Sequence, residues 1–277
     1  MPVRMVMPSL RAFLMCVWLL KGERSVPRVA AIEPARLALL NAGTLEATTL
    51  TECLGVNFAS LLSHVFPAIG PDAILKMQCE AEEGILRRMA LAASLILEHN
   101  GMAGLDILRN HSSDTVRGWA CFMVGAAAGQ TLAERLAMIR PFADDHHFGV
   151  REWAWMAVRP HIAADLDHAL ALLAGWTTDS SERLRRFASE ATRPRGVWCS
   201  HLRALRQFPG KALPVLQPLR ADPAPYVQDS VGNWLNDASK DQPDWVRSLC
   251  AQWSAESAGL ATARICRRAL RSINRKG

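Results

Sequence analysis

Apolar and polar positions follow a helical period along this chain, and one short pattern comes back. Asp114-Thr115-Val116-Arg117-Gly118-Trp119-Ala120 is followed by Gly149-Val150-Arg151-Glu152-Trp153-Ala154 and by Arg183-Leu184-Arg185-Arg186-Phe187-Ala188. A looser copy is Tyr226-Val227-Gln228-Asp229-Ser230-Val231. Val116, Val150 and Leu184 are each 34 positions apart, and Val227 follows 43 later. A period of this size marks stacked helical pairs, each burying its apolar face on the next. The later copies place Glu152, Glu190 and Asp237 at similar depth in successive pairs.

The spacing and the breakers predict helices over 102–110, 113–128, 131–142, 148–158, 162–176, 180–191, 197–207, 210–220, 224–238, 243–254 and 258–273. Pro141, Pro160, Pro194, Pro209, Pro223 and Pro243 fall at the joints, where a missing N–H does least harm. Upstream, residues 35–66 read as two short helices turned at Ala42-Gly43-Thr44. Residues 74–99 read as one long helix or a bent pair. Strand formers are scarce and Ala and Leu dominate. The expected fold is therefore all-α, a HEAT-like repeat α-solenoid over 35–277 with a basic concave face. Residues 1–34 are a separate N-terminal extension.

Charge changes the picture next. The chain carries a net +6, unevenly spread. From Arg183 to Arg220 there are nine basic residues and one acid, Glu190. From Arg264 to Lys276 there are six basic residues and no acid. Such stripes point to a polyanionic partner, against the plainer reading of a solvated surface. The seven cysteines form no Cys-x-x-Cys and no Cys/His ligand spacing. A reducing, cytoplasmic setting follows, with no disulfide and no metal. The apolar run Ala12 to Leu20 mimics a secretion signal. It lacks a small-x-small cleavage site and is too short to span a bilayer. It reads as a disordered or misassigned extension, not as a membrane anchor.

Three stretches carry candidate chemistry. In the first, Tyr226 to Pro243, a helix would align Asp229, Asn233 and Asp237 in one polar stripe. Asn and Asp are poor mid-helix residues, so something should compensate them. A hydrogen-bond ladder to the next repeat through Asn233 and Asn236 is the plain alternative to a site. In the second, Arg183 to Trp198, Arg186 stands four before Glu190 and can pair with it. Arg193 and Arg195 flank Pro194 on a loop at a helix end, where a guanidinium fork suits phosphate. A lone Glu190 among arginines stays ionised. In the third, Phe148 to Pro160, Trp153 and Trp155 are two apart and cannot share a helix face. One is expected in the core and one in a groove, although core packing explains either alone. His146-His147 reads as a solvated loop. Cys199 and His201 would point apart on a helix, and no Gly-x-Ser-x-Gly occurs.

F-G-V-R-E-W-A-W, F-A-S-E-A-T-R-P-R-G-V-W and Y-V-Q-D-S-V-G-N-W-L-N-D-A-S-K-D together resemble the AlkC/AlkD family of bacterial DNA alkylation-repair glycosylases, nearer the C branch. The likeness covers roughly residues 40–273. It implies a HEAT-like solenoid whose concave basic face binds duplex DNA, with no metal or organic cofactor. It implies excision of positively charged N-alkylated bases such as 3-methyladenine, 3-methylcytosine or 7-methylguanine. By resemblance the site's acidic and aromatic positions fall on Glu152 or its neighbour Trp153, on Glu190, on Trp198 and on Asp237. Arg193 would clamp the backbone.

An alkylated purine is already a cationic leaving group. The remaining task is to stabilise an oxocarbenium-like sugar and to aim a water, which carboxylates can do. Asp237 and Glu190 would stand near the deoxyribose, with Glu152 as the third acid. Trp198 and Trp153 would contact the lesion or sugar by cation–π attraction. Arg186, Arg193, Arg195, Arg151 and Arg159 would hold phosphates. The expected partner is double-stranded DNA with alkylated bases, and a monomer is expected. The rival reading is a non-catalytic HEAT-repeat scaffold that binds DNA or an acidic protein.

Overall fold

A computed structural model describes residues 32–196, 199–257 and 259–274, all helix, turn and loop. The helices are α1 (Pro34–Asn41), α2 (Leu50–Gly55), α3 (Phe58–Val65), α4 (Pro71–Cys79), α5 (Ile85–Asn100), α6 (Gly104–Leu108), α7 (Asp114–Ala126) and α8 (Leu132–Ala143). They continue as α9 (Phe148–Ala164), α10 (Leu166–Ala174), α11 (Glu182–Glu190), α12 (Arg203–Gln207), α13 (Leu213–Leu216), α14 (Pro225–Ala238), α15 (Pro243–Glu256) and α16 (Leu260–Leu270). The N-terminal extension up to residue 31, with its apolar run, lies outside the described residues. Among those described, no helix is long and apolar enough to cross a membrane. The chain divides into two compact units. One holds the residues up to Gln130 with Asp145–Ala157; the other holds Thr131–Asp144 and the residues from Val158 on.

The repeated phrase marks the start of α7, α9, α11 and α14. Val116, Val150, Leu184 and Val227 are each the third residue of α7, α9, α11 and α14. All four are buried. The next residue explains the rest of the phrase. Arg117 donates to the carbonyls of His111 and Ser112, Arg151 to those of Asp145 and His146, and Arg185 to those of Asp179 and Ser180. Gln228 makes the same pair of bonds to Asp222 and Pro223. Each side chain folds back over the turn before its own helix and satisfies carbonyls that the turn leaves without partners. Arg117 and Arg185 then reach forward to an aspartate of the next turn. Arg117 Nε lies 2.8 Å from Asp145, and Arg185 Nε 2.7 Å from Asp222. Those turns are themselves tightened by the aspartates, which accept from the amides of His147 and Ala224.

In the first unit the core closes around Trp119, whose ring meets Phe58 edge-on at 5.6 Å, with Met89, Ala92 and Ile96. Trp153 lies on Gly118, where a Cβ would sit 2.5 Å from its ring. In the second unit Trp234, Trp253, Leu219, Val231 and Ile265 are fully buried.

The 74–99 segment takes the second of its two readings, a pair of helices parted by the turn at 80–84. Several other expectations change. Pro160 sits inside α9, which runs on to Ala164; the exposed last turn absorbs the missing N–H. The expected helices 197–207 and 210–220 shrink to α12 and to α13 with a preceding 3₁₀ turn, Pro209–Ala212. Pro209, Pro214 and Pro218 each remove a backbone donor there. Trp153 and Trp155 are both buried, at 6% and 5% exposure, so neither faces a groove. His147 is buried as well. Its Nε2 donates to the Ala47 carbonyl at 2.6 Å and its Nδ1 accepts from the Gly149 amide. Only His146 is solvated.

Candidate active site

The second unit brings Glu190 and Asp237 together through Arg193. Glu190 closes α11, Pro194 stops the helix from continuing, and Arg193 projects from the turn between them. Its Nη1 donates to Glu190 Oε1 at 2.7 Å. Its Nε and Nη2 donate to Asp237 Oδ2 at 2.9 and 2.7 Å. Ser230 Oγ donates to the other Glu190 oxygen at 2.7 Å, and Arg186 Nη2 lies 3.5 Å from it. Lys240 Nζ donates to Asp237 Oδ1 at 3.1 Å. The Arg186 guanidinium stands 4.5 Å from the centre of the Tyr226 ring.

Both carboxylates are 4% exposed. Burial pushes the Glu190 carboxyl up, but the Arg193 and Arg186 guanidiniums outweigh it and hold the group at about 2. Glu190 is therefore an anion at neutral pH. Three cations and two carboxylates share the cluster, so one positive charge is left over. A cluster of this kind could stabilise a neighbouring cation only through its carboxylate faces.

Residues 191–196 and 199–202 are held from several sides. Arg159, at 2% exposure, donates to the carbonyls of Ala191, Arg193 and Ser200 at 2.8, 2.6 and 3.3 Å. Trp234 Nε1 donates to the Thr192 carbonyl at 2.9 Å. Arg195 and Arg206 both clamp Asp241, and their hydrogen bonds hold its carboxyl below the usual carboxylate range.

The arginines expected on phosphates thus have internal work. Arg159 is buried on backbone carbonyls and is out of reach of DNA. Arg151 closes the turn before α9. Arg186 and Arg193 neutralise the carboxylates, and Arg195 holds Asp241. Glu152, in the first unit, accepts from Trp155 Nε1 at 2.8 Å. Trp153 packs on Gly118 in the core of the first unit. Trp198 lies outside the described residues. The three acids stand at different positions along their own helices. Glu152 is the fifth residue of α9, Glu190 the ninth of α11 and Asp237 the thirteenth of α14. Each step is one helical turn longer than the repeat. Tyr226, Ser230 and Lys240 complete the cluster; nothing in their spacing singled them out. The Asn residues of α14 bond to α16 and to Arg271, which follows it. Asn236 Nδ2 donates to the Ala269 carbonyl, and Arg268 and Arg271 donate to Asn233 Oδ1.

A family profile described as DNA alkylation repair enzyme matches residues 112–271. The chain belongs to this family. The match takes in the four phrase helices, Glu190, Arg193 and Asp237. A Pseudomonas fluorescens structure, the alkylpurine DNA glycosylase AlkC bound to DNA containing an abasic site analog, superposes with a TM-score of 0.61 at 25% identity. The likeness covers 90% of this chain and 66% of that one. AlkD2 from Streptococcus mutans, at 23% identity and a TM-score of 0.57, shares the fold over 74% of this chain and 97% of its own. In sequence, YhaZ of Bacillus subtilis (strain 168) is 41% identical over 97 residues. The chain spans 27% of YhaZ in that match. The all-α, helical repeat architecture is that of these relatives.

Proposed function

We propose that this protein is a DNA glycosylase, hydrolysing the N-glycosidic bond of cationic N-alkylated bases in duplex DNA. 3-Methyladenine and 3-methylcytosine are the foremost substrates, with 7-methylguanine a third. The observation that carries the reading is the Glu190–Arg193–Asp237 bridge: two buried carboxylates, on packed helices of a DNA alkylation-repair repeat, joined by one guanidinium. An alkylated base leaves as a neutral molecule, so no acid is needed to protonate it. Cation builds on the deoxyribose instead, and a fixed carboxylate stabilises it. Asp237 takes that role and orients the attacking water. Glu190, paired with Arg193 and Ser230, positions the Arg193 fork and through it Asp237. Glu152 remains a third candidate acid. The AlkC relative was captured on an abasic-site analog, the kind of product that such a reaction leaves.

Asp237→Asn is expected to abolish release of methylated bases from duplex DNA, read by chromatography, while duplex binding persists. Unchanged release would remove Asp237 from the chemistry. A wild type that binds duplex DNA but releases nothing would leave a helical-repeat scaffold.

A further inference from the structure

The strongest unassigned surface is on α16. Arg264, Arg267, Arg268 and Arg271 stand at i, i+3, i+4 and i+7 and line an open hollow of about 360 Å³. At 1.5 Å per residue they extend over about 10 Å of helix. Among the described residues, the Asp229 carboxylate faces them, 2.9 Å from Arg264 and 3.2 Å from Arg268. Arg264, Arg267 and Arg268 against Asp229 leave about two charges for a ligand. Arg267 is exposed.

The row is also held in place. Asn233 Oδ1 accepts from Arg268 Nε and from Arg271 Nη1, each at 2.9 Å. Gly232 lets the Arg268 stem lie against α14: a Cβ there would be 2.9 Å from Arg268 Cβ. Asp229, Asn233 and Asp237 share one face of α14, so the guanidiniums border the stripe that ends at the candidate carboxylate. Asn233 is one turn, about 5.4 Å, from Asp237.

We propose that these four arginines hold the phosphodiester backbone of duplex DNA beside the sugar presented to Asp237. The choice of DNA as the polyanion rests on the glycosylase reading. A strand carries one charge per about 3.4 Å of axis, so the row meets about three successive phosphates. Asn233 and Gly232 are positioning residues for Arg268 and Arg271. The site replaces the phosphate role that Arg159, Arg186 and Arg193 cannot fill.

The test is fluorescence anisotropy of an undamaged duplex across a salt series, with base release from methylated DNA measured in parallel. The slope of log K against log salt should fall by about 0.9 for each phosphate contact removed. Arg264→Ala/Arg267→Ala/Arg271→Ala should therefore flatten it by between about two and three. The single Arg267→Ala, on an exposed side chain, should flatten it by about one and needs no tolerance of the fold. Arg247→Ala on α15 should leave it alone. Flattening without base release by the wild type keeps the backbone site and removes the enzyme reading. Base release with slopes unaltered in both variants overturns the site, as does a wild type that fails to bind duplex DNA.

Discussion

Replacing Glu190 with Gln tests whether the buried carboxylate is held ionised by its arginines. The native pKa of about 2 lies about two and a half pH units below the ordinary 4.5. At about 1.4 kcal/mol per pH unit, this gives about 3 kcal/mol of stability at neutral pH. A depressed carboxylate contributes fully above its unfolded value and loses that contribution as pH falls through the folded value. The stability gap between wild type and Glu190→Gln should therefore be about 3 kcal/mol at pH 7. It should persist down to about pH 4.5 and close as pH approaches 2. Arg193 keeps Asp237 in the variant, while Arg186 loses the Glu190 carboxylate beside it, and that loss is part of the expected gap. Urea titrations followed by helical circular dichroism at stepped pH measure the gap directly. A gap that stays constant with pH, or is absent at pH 7, refutes the argument.

Arg159→Met should cost about 3 kcal/mol, since three backbone carbonyls lose a buried donor. Amide exchange at Leu202, which donates to the Pro194 carbonyl, should accelerate; unchanged exchange would show that the loop holds itself. Gly118→Ala places a methyl 2.5 Å from the Trp153 ring and should destabilise by between about 1 and 3 kcal/mol, with a changed near-ultraviolet tryptophan signal. A gain in stability would mean that Trp153 moves freely. Arg185→Ala should cost about 3 kcal/mol, and a double-mutant cycle with Asp222→Asn should show strong coupling; additive effects would dissolve the clamp.

Much of the architecture was legible in the chain. The recurring Val or Leu locates the third residue of four helices, because a buried apolar position there is what each repeat needs to stack. Glu190 and Asp237 stand out in the chain as acids in basic or polar surroundings, but the guanidinium that joins them does not. Arg193, Arg185 and Arg195 pair with aspartates 44, 37 and 46 residues away. Local spacing shows none of these distances, so a guanidinium in a basic stretch reads as free for phosphate. Arg159 misled for the same reason: its acceptors are carbonyls, which any residue supplies and composition never shows. The three acids differ in position along their own helices because their spacings, 38 and 47, exceed the repeat by one turn each. For the Asn residues of α14 the plain alternative to a site holds: they bond to the next repeat.

The turn clamp makes the repeat tolerant of insertion. Arg117 meets Asp145 across 28 residues, whereas Arg185 meets Asp222 across 37 by the same bonds. The nine additional residues leave the closure between turns intact. They fall in the one repeat whose second helix is broken into short pieces and whose loop carries Arg193 and Arg195. The register of α11 and α14 is thus set by a polar latch at one end, and what lies between can lengthen without disturbing it. Evolution can rewrite that segment, and with it whatever surrounds Glu190 and Asp237, while the stacking of the helices stays the same.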